Sequence, residues 1–171
     1  MRTRSGPWTL PPKCIEMTLY EIPFQLVTLE YDANVMPVVE AWLDDRAIRM
    51  VLDTGASHTC VDRDLVKPLL REKNVREEDS NAVMGLGGRR LSHTICRLPL
   101  LRIGDIEWHD YKVVAVRMRN INKMLAWLGL PAIGGLLGCD LLQTSHAVLD
   151  FDRLCLCLRK EETEMNAVTD N

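Results

Sequence analysis

The chain lacks any apolar run of the roughly 18 residues that a membrane-spanning helix needs. Its basic N-terminal residues are not followed by the apolar stretch of a secretory signal, because Pro11 and Pro12 stand in that place. It also lacks a large excess of charge of one sign: 21 Lys and Arg face 24 Asp and Glu, for a net charge of −3. These absences argue against a membrane protein, a secreted protein and a nucleic-acid-binding protein. We therefore expect a soluble, cytoplasmic protein.

The composition predicts one ordered domain with short tails. Charged residues make up 26% and hydrophobic residues 47% of the 171 residues, which is typical of a globular chain and excludes global disorder. The Pro-rich start indicates a flexible N-terminal arm over residues 1–21, and the polar end indicates a disordered tail over residues 161–171. Residues 22–160 are left for the domain.

The six cysteines suggest neither a disulfide framework nor a metal site. Without a secretory signal, buried thiols are the better interpretation. Cys155 and Cys157 form the only close pair, and alternation along a strand puts both sulfurs on one face. Two ligands alone do not complete a zinc site, and the histidines are scattered, so we predict no metal and no cofactor.

Most of the chain has the pattern of short β-strands. Residues 35–43 and 47–52 predict a hairpin around Asp44-Asp45, and Asp62 predicts the cap of a short helix that is disturbed at Pro68. Helical spacing recurs over residues 120–128. This combination predicts a small, mostly β, barrel-like domain with one or two short helices.

The segment most suggestive of chemistry is Met50-Val51-Leu52-Asp53-Thr54-Gly55-Ala56-Ser57. An apolar strand runs directly into an acidic residue and a glycine turn, which places the carboxylate of Asp53 at the end of a buried strand. The alternative is an aspartate that merely caps a turn, which is common.

Two further segments accompany it. In Leu136-Leu137-Gly138-Cys139-Asp140-Leu141-Leu142, Gly138 permits the close crossing of another backbone and Asp140 can accept amides at a helix start. An ordinary junction between a strand and a helix is the alternative. Met84-Gly85-Leu86-Gly87-Gly88 predicts a mobile hairpin tip. A phosphate-binding loop is disfavoured there, because strand-like residues rather than a helix follow.

In this order, the three segments resemble the retropepsin-like (retroviral-type) aspartic proteases, especially their bacterial and cellular relatives. The resemblance covers residues 24–158 and implies a small closed β-barrel of the acid-protease type with a β-hairpin flap. It implies that Asp53 is catalytic and that Thr54, Gly55, Ala56, Gly138 and Asp140 support the active loop. It further implies that Gly85, Leu86, Gly87 and Gly88 form the flap over a peptide substrate.

The chain carries only one Asp-Thr-Gly, whereas this chemistry needs two carboxylates. The resemblance therefore implies a homodimer with the site on its two-fold axis. Viral enzymes usually have an aspartate that contacts the substrate where Ser57 stands, and an arginine where Cys139 stands. Two alternatives to a peptidase remain: a catalytically inactive retropepsin-like module for dimerisation or peptide binding, and an unrelated β-domain.

Overall fold

The computed structural model describes residues 17–28, 35–72, 77–78 and 94–161 of the chain. These residues form eleven strands and three helices. The strands are β1 (Met17–Pro23), β2 (Gln25–Thr28), β3 (Val35–Leu43), β4 (Arg46–Leu52), β5 (Cys60–Asp62), β6 (Glu77–Glu78), β7 (Thr94–Ile103), β8 (Ile106–Val116), β9 (Gly135–Leu137), β10 (Val148–Asp150) and β11 (Cys155–Glu161). The helices are α1 (Arg63–Glu72), α2 (Arg119–Trp127) and α3 (Cys139–Thr144).

Six of the strands close into a barrel. The hydrogen-bonded order is β3-β4-β9-β5-β8-β7, and β3 also pairs with β7, which completes the ring. Short strands β2 and β6 extend it at β3 and β7. Two neighbouring pairs, β4 with β9 and β5 with β8, run parallel, whereas the other pairs are antiparallel. The mostly β, closed-barrel prediction is confirmed.

Alternating burial explains why these segments form strands. In β3, Val39, Ala41 and Leu43 are buried, and in β7 the same holds for Cys96 and Leu98, so one face of each strand lines the core. The predicted hairpin forms between β3 and β4, and Asp44 turns it with a φ of 56°, a conformation that aspartate tolerates better than most residues.

A second sheet pairs the two ends of the described chain. Its order is β1-β11-β10, with Met17 opposite Glu161 and Pro23 opposite Cys155. Residues 17–21, which composition assigned to a flexible arm, therefore lie in a paired strand, and residue 161 of the expected tail ends β11. Composition could not show this, because the partner strand lies more than 130 residues away. Residues 1–16 and 162–171 lie outside the described residues.

The structure describes three short helices where one or two were expected. Asp62 caps α1 as predicted, its Oδ1 accepting the backbone amide of Asp64 at 3.2 Å. The helix does not stop at Pro68 but continues to Glu72. Pro68 is exposed, so water can satisfy the carbonyl whose helical partner it removes. None of the helices in the described ranges is long and apolar enough to cross a membrane.

Candidate active site

Asp53 lies directly after β4, where that strand runs parallel to β9. Its backbone amide donates to the Leu137 carbonyl at 3.0 Å, which continues the β4–β9 pairing by one residue. Its side chain is half-buried, and Oδ1 accepts the amide of Gly55 at 2.9 Å. Oδ2 has no hydrogen-bond partner within the described segments. The carboxylate is thus held by one oxygen, while the other remains available to a further group.

A tight turn carries the residues that follow Asp53. The Ala56 amide donates to the Asp53 carbonyl at 3.1 Å, and Thr54 and Gly55 are exposed at the tip. A Cβ at Gly55 would lie 3.2 Å from Asp53 Oδ1, so this position favours glycine. Ser57 is exposed and its hydroxyl lies 3.0 Å from Nδ1 of His58.

Gly138 lies where the chain after β9 crosses the segment before β5. A Cβ at Gly138 would lie 2.7 Å from the backbone nitrogen of Thr59 and nearer still to the His58 carbonyl group. Because its φ of −93° suits any residue, glycine is required here for space rather than for conformation. The close backbone crossing expected from the sequence is present.

Asp140 ties the two crossing segments together through one oxygen. Its Oδ1 accepts the Thr59 amide at 2.8 Å, the Thr59 hydroxyl at 2.7 Å and the Leu141 amide at 2.8 Å. Thr59 is fully buried, and its hydroxyl oxygen accepts the Gly138 amide at 3.2 Å. Because three groups donate to this one carboxylate oxygen, the crossing of the two segments beside the Asp53 turn is held rigidly.

Cys139 connects α3 to the Asp53 turn. Its amide donates to the Ala56 carbonyl at 2.8 Å, and its thiol donates to the Thr54 carbonyl at 3.1 Å. Cys139, which stands where viral enzymes usually have an arginine, therefore contacts the turn through a short side chain. The structure brings Asp53, Thr54, Gly55, Ala56, Gly138 and Asp140 together. Ser57 follows in the same loop, where its hydroxyl contacts His58.

Two neighbouring groups have raised pKa values. Burial, and next the Asp140 carboxylate, raise the pKa of the Tyr111 phenol to about 12. Burial, followed by the negative charges of Asp140 and Asp53, raises the pKa of the Cys60 thiol to about 11. Both groups therefore remain protonated beside the carboxylates at neutral pH.

The raised Cys60 value predicts a loss of stability in alkali. Above pH 9.0, the thiol of the unfolded chain ionises, whereas the folded thiol keeps its proton until about pH 11. Unfolding then releases a proton, so the free energy of unfolding falls as the pH rises through this window. We expect Cys60→Ala to lose less stability than the wild type between pH 8 and 11 in urea titrations. Equal slopes would contradict the assignment.

The predicted flap residues Gly85, Leu86, Gly87 and Gly88 lie outside the described residues. No group of three metal-ligating side chains surrounds Asp53 in the part of the chain that is described; the group that does occur is Glu21, Cys155 and Cys157 in the second sheet.

Sequence reasoning missed Thr59 and Tyr111. Thr59 is the buried hydroxyl that links Gly138 to Asp140, and Tyr111 lies beside the same carboxylate. A single threonine or tyrosine in a β-rich segment has no distinguishing pattern, so only the barrel shows that they share the site.

Known proteins that are similar to this chain in sequence profile or in fold include aspartic proteases. A family profile described as aspartyl protease matches residues 39–141. A retropepsin-like aspartic protease from Rickettsia conorii superposes with a TM-score of 0.51 at 18% identity, covering 84% of this chain and 93% of that one. This likeness shows the fold. No curated protein sequence matches the chain.

Two other solved structures are similar at lower scores. The retroviral protease-like domain of Ddi1 from Leishmania major has a TM-score of 0.48 at 14% identity, covering 77% of this chain and 97% of that one. EIAV protease in complex with the inhibitor HBY-793 has a TM-score of 0.48 at 18% identity, covering 72% of this chain and 99% of that one.

Proposed function

The chain belongs to the aspartyl protease family, and from this premise we propose that it is an endopeptidase in which Asp53 is the catalytic carboxylate. The substrate is an unstructured peptide or protein segment. The reaction uses a water molecule as nucleophile and needs no metal or cofactor. The proposed setting is the cytoplasm.

The hydrogen bonding of the Asp53 carboxylate is the observation that supports this function most directly. Oδ1 accepts the Gly55 amide, while Oδ2 is unpartnered within the described ranges. The Oδ1 contact alone is one that a turn-capping aspartate also makes, so the support comes from Oδ2 and from the contacts that hold the turn in place. Here the backbone crossing at Gly138 and the Asp140 contacts brace a turn whose tip is exposed, which suits a carboxylate that must meet a second group.

That second group is Asp53 of another copy of the chain. Two carboxylates about 3 Å apart cannot both be ionised, so the pair holds one proton. The ionised member takes a proton from the water between them, while the protonated member donates a hydrogen bond to the carbonyl of the scissile bond and stabilises the developing oxyanion. In this proposal Thr54, Gly55 and Ala56 hold the loop, and the dimer is the active form.

The remaining predicted site residues have supporting roles in the proposal. Gly85, Leu86, Gly87 and Gly88 form a flap that closes over an extended peptide and excludes water. Ser57 is exposed beside the turn and is the candidate for contact with the substrate backbone. Gly138 and Asp140 act through the turn as positioning residues.

Dilution of the enzyme tests the shared site. If two copies supply the carboxylates, then at concentrations where monomers dominate, doubling the enzyme raises the rate of peptide hydrolysis about fourfold rather than twofold. Sedimentation velocity on the same samples gives the fraction of dimer. A specific activity that stays constant where sedimentation finds only monomer would overturn the proposal. Dimers without any peptidase activity from acidic to neutral pH would favour the inactive-module alternative.

A further inference from the structure

We propose that Glu21, Cys155 and Cys157 form a binding site for a thiophilic divalent cation, with Zn²⁺ as the physiological class. The oxygen of one residue and the sulfurs of the other two all lie within 4.8 Å of one another. The site lies in the β1-β11-β10 sheet, outside the Asp53 turn, and is independent of the proposed peptidase function.

The register of the sheet creates this cluster. Glu21 of β1 lies directly opposite Cys157 of β11, and Cys155 lies two residues before Cys157 on the same strand. Side chains opposite each other or two residues apart share a face. The inward-facing neighbours Leu156 and Leu158 are fully buried in the core, so the thiols occupy the opposite face of β11.

The donors match the requirements of zinc. Zinc takes thiolate and carboxylate ligands in a tetrahedron, and Zn–S bonds of about 2.3 Å hold two sulfurs roughly 3.8 Å apart, which the spacing of the cluster permits. Each thiol releases its proton to solvent when its sulfur binds the metal. Three protein ligands leave a fourth position for water.

A second contact holds the carboxylate in place. Nη2 of Arg153 lies 2.8 and 2.9 Å from the two carboxylate oxygens of Glu21. When one carboxylate oxygen of Glu21 binds the metal, the other can remain hydrogen-bonded to Arg153. Hydrogen bonds of this kind orient metal ligands. The guanidinium also offsets the negative charge of two thiolates and a carboxylate around a divalent ion.

A bound ion would cross-link β1 to β11. Cys155 is only 8% exposed, whereas Glu21 is open to solvent, so the ion would sit between a buried and an exposed ligand. A ligand that binds only the folded chain stabilises it in proportion to the logarithm of its excess. At a hundredfold excess over Kd, we expect Zn²⁺ to raise the melting temperature by roughly 5 °C or more.

Metal titration of the full, reduced chain tests the site. We expect one Zn²⁺ per chain by calorimetry, and Co²⁺ should give a thiolate-to-cobalt charge-transfer band that Zn²⁺ abolishes. Cys157→Ser and Glu21→Gln should each weaken binding at least about tenfold. Cys139→Ser removes a thiol of similar exposure outside the cluster and should bind as the wild type does.

Circular dichroism of each metal-free variant verifies that it is folded, and the exposed Glu21→Gln variant serves if Cys157→Ser does not fold. Absence of stoichiometric binding would overturn the site. So would wild-type affinity in folded Cys157→Ser or in Glu21→Gln, or loss of binding in Cys139→Ser.

Discussion

Asp53→Asn is expected to lower kcat/KM for an unstructured peptide by about a thousandfold or more, with the dimer and the fold retained. Asparagine has nearly the shape of aspartate, and its side-chain oxygen can still accept the Gly55 amide that now bonds Oδ1. It cannot take a proton from water, so the loss falls on the chemical step. Peptide hydrolysis, sedimentation velocity and circular dichroism measure the three quantities.

The matched control is Asp45→Asn in the exposed β3–β4 turn, which should keep wild-type activity. Mixing gives a second comparison: a tenfold excess of Asp53→Asn should suppress wild-type activity to about a tenth, because most wild-type chains then pair with a variant chain. Equal hydrolysis by wild type and Asp53→Asn would mean that the activity comes from a contaminant. Undiminished activity in the mixture would mean that each chain works alone.

Gly138→Ala is expected to lower the free energy of unfolding by at least about 3 kcal/mol. The added methyl group would meet the backbone of His58 and Thr59, which cannot rotate away as a side chain can. Separation of the two segments would also lengthen the bonds from Thr59 to Asp140. Urea denaturation measures the effect, and peptide hydrolysis should fall with it because the Asp53 turn rests on this crossing.

Gly129→Ala provides the contrasting substitution. Gly129 has a φ of 71°, yet a Cβ added to it would have nothing within 4 Å, so alanine there suffers conformational strain without crowding. We expect a cost of about 1 kcal/mol. If Gly138→Ala cost no more than Gly129→Ala, the close crossing would not be the reason for glycine at 138.

Much of the fold and of the site follows from local sequence patterns. The turn after β4 is recognisable because an apolar strand meets Asp53 and Gly55 within three residues. Gly138 and Asp140 are recognisable because a glycine and an acid in the first turn of a helix follow two aliphatic residues. Each of these signals is contained in a few consecutive residues.

The features that were missed depend on distant partners. Thr59 contacts Asp140, 81 residues away, and Glu21 lies opposite Cys157 on a strand that begins at Cys155. Local composition predicts an arm up to residue 21 rather than the strand β1 for the same reason, since the pairing partner of β1 is β11. Pro68 shows the opposite error: a strong local breaker was tolerated because its position in α1 is open to solvent.

The pairing of β1 with β11 also sets an order for folding. During synthesis the six barrel strands leave the ribosome before Cys155 does, so the barrel can assemble while Met17–Pro23 still lacks its neighbour. At a translation rate of about 5–20 residues per second, β11 is synthesised roughly 10 s after β1. Joining strands so far apart along the chain has a high entropic cost, so we expect the sheet of β1, β11 and β10 to form last.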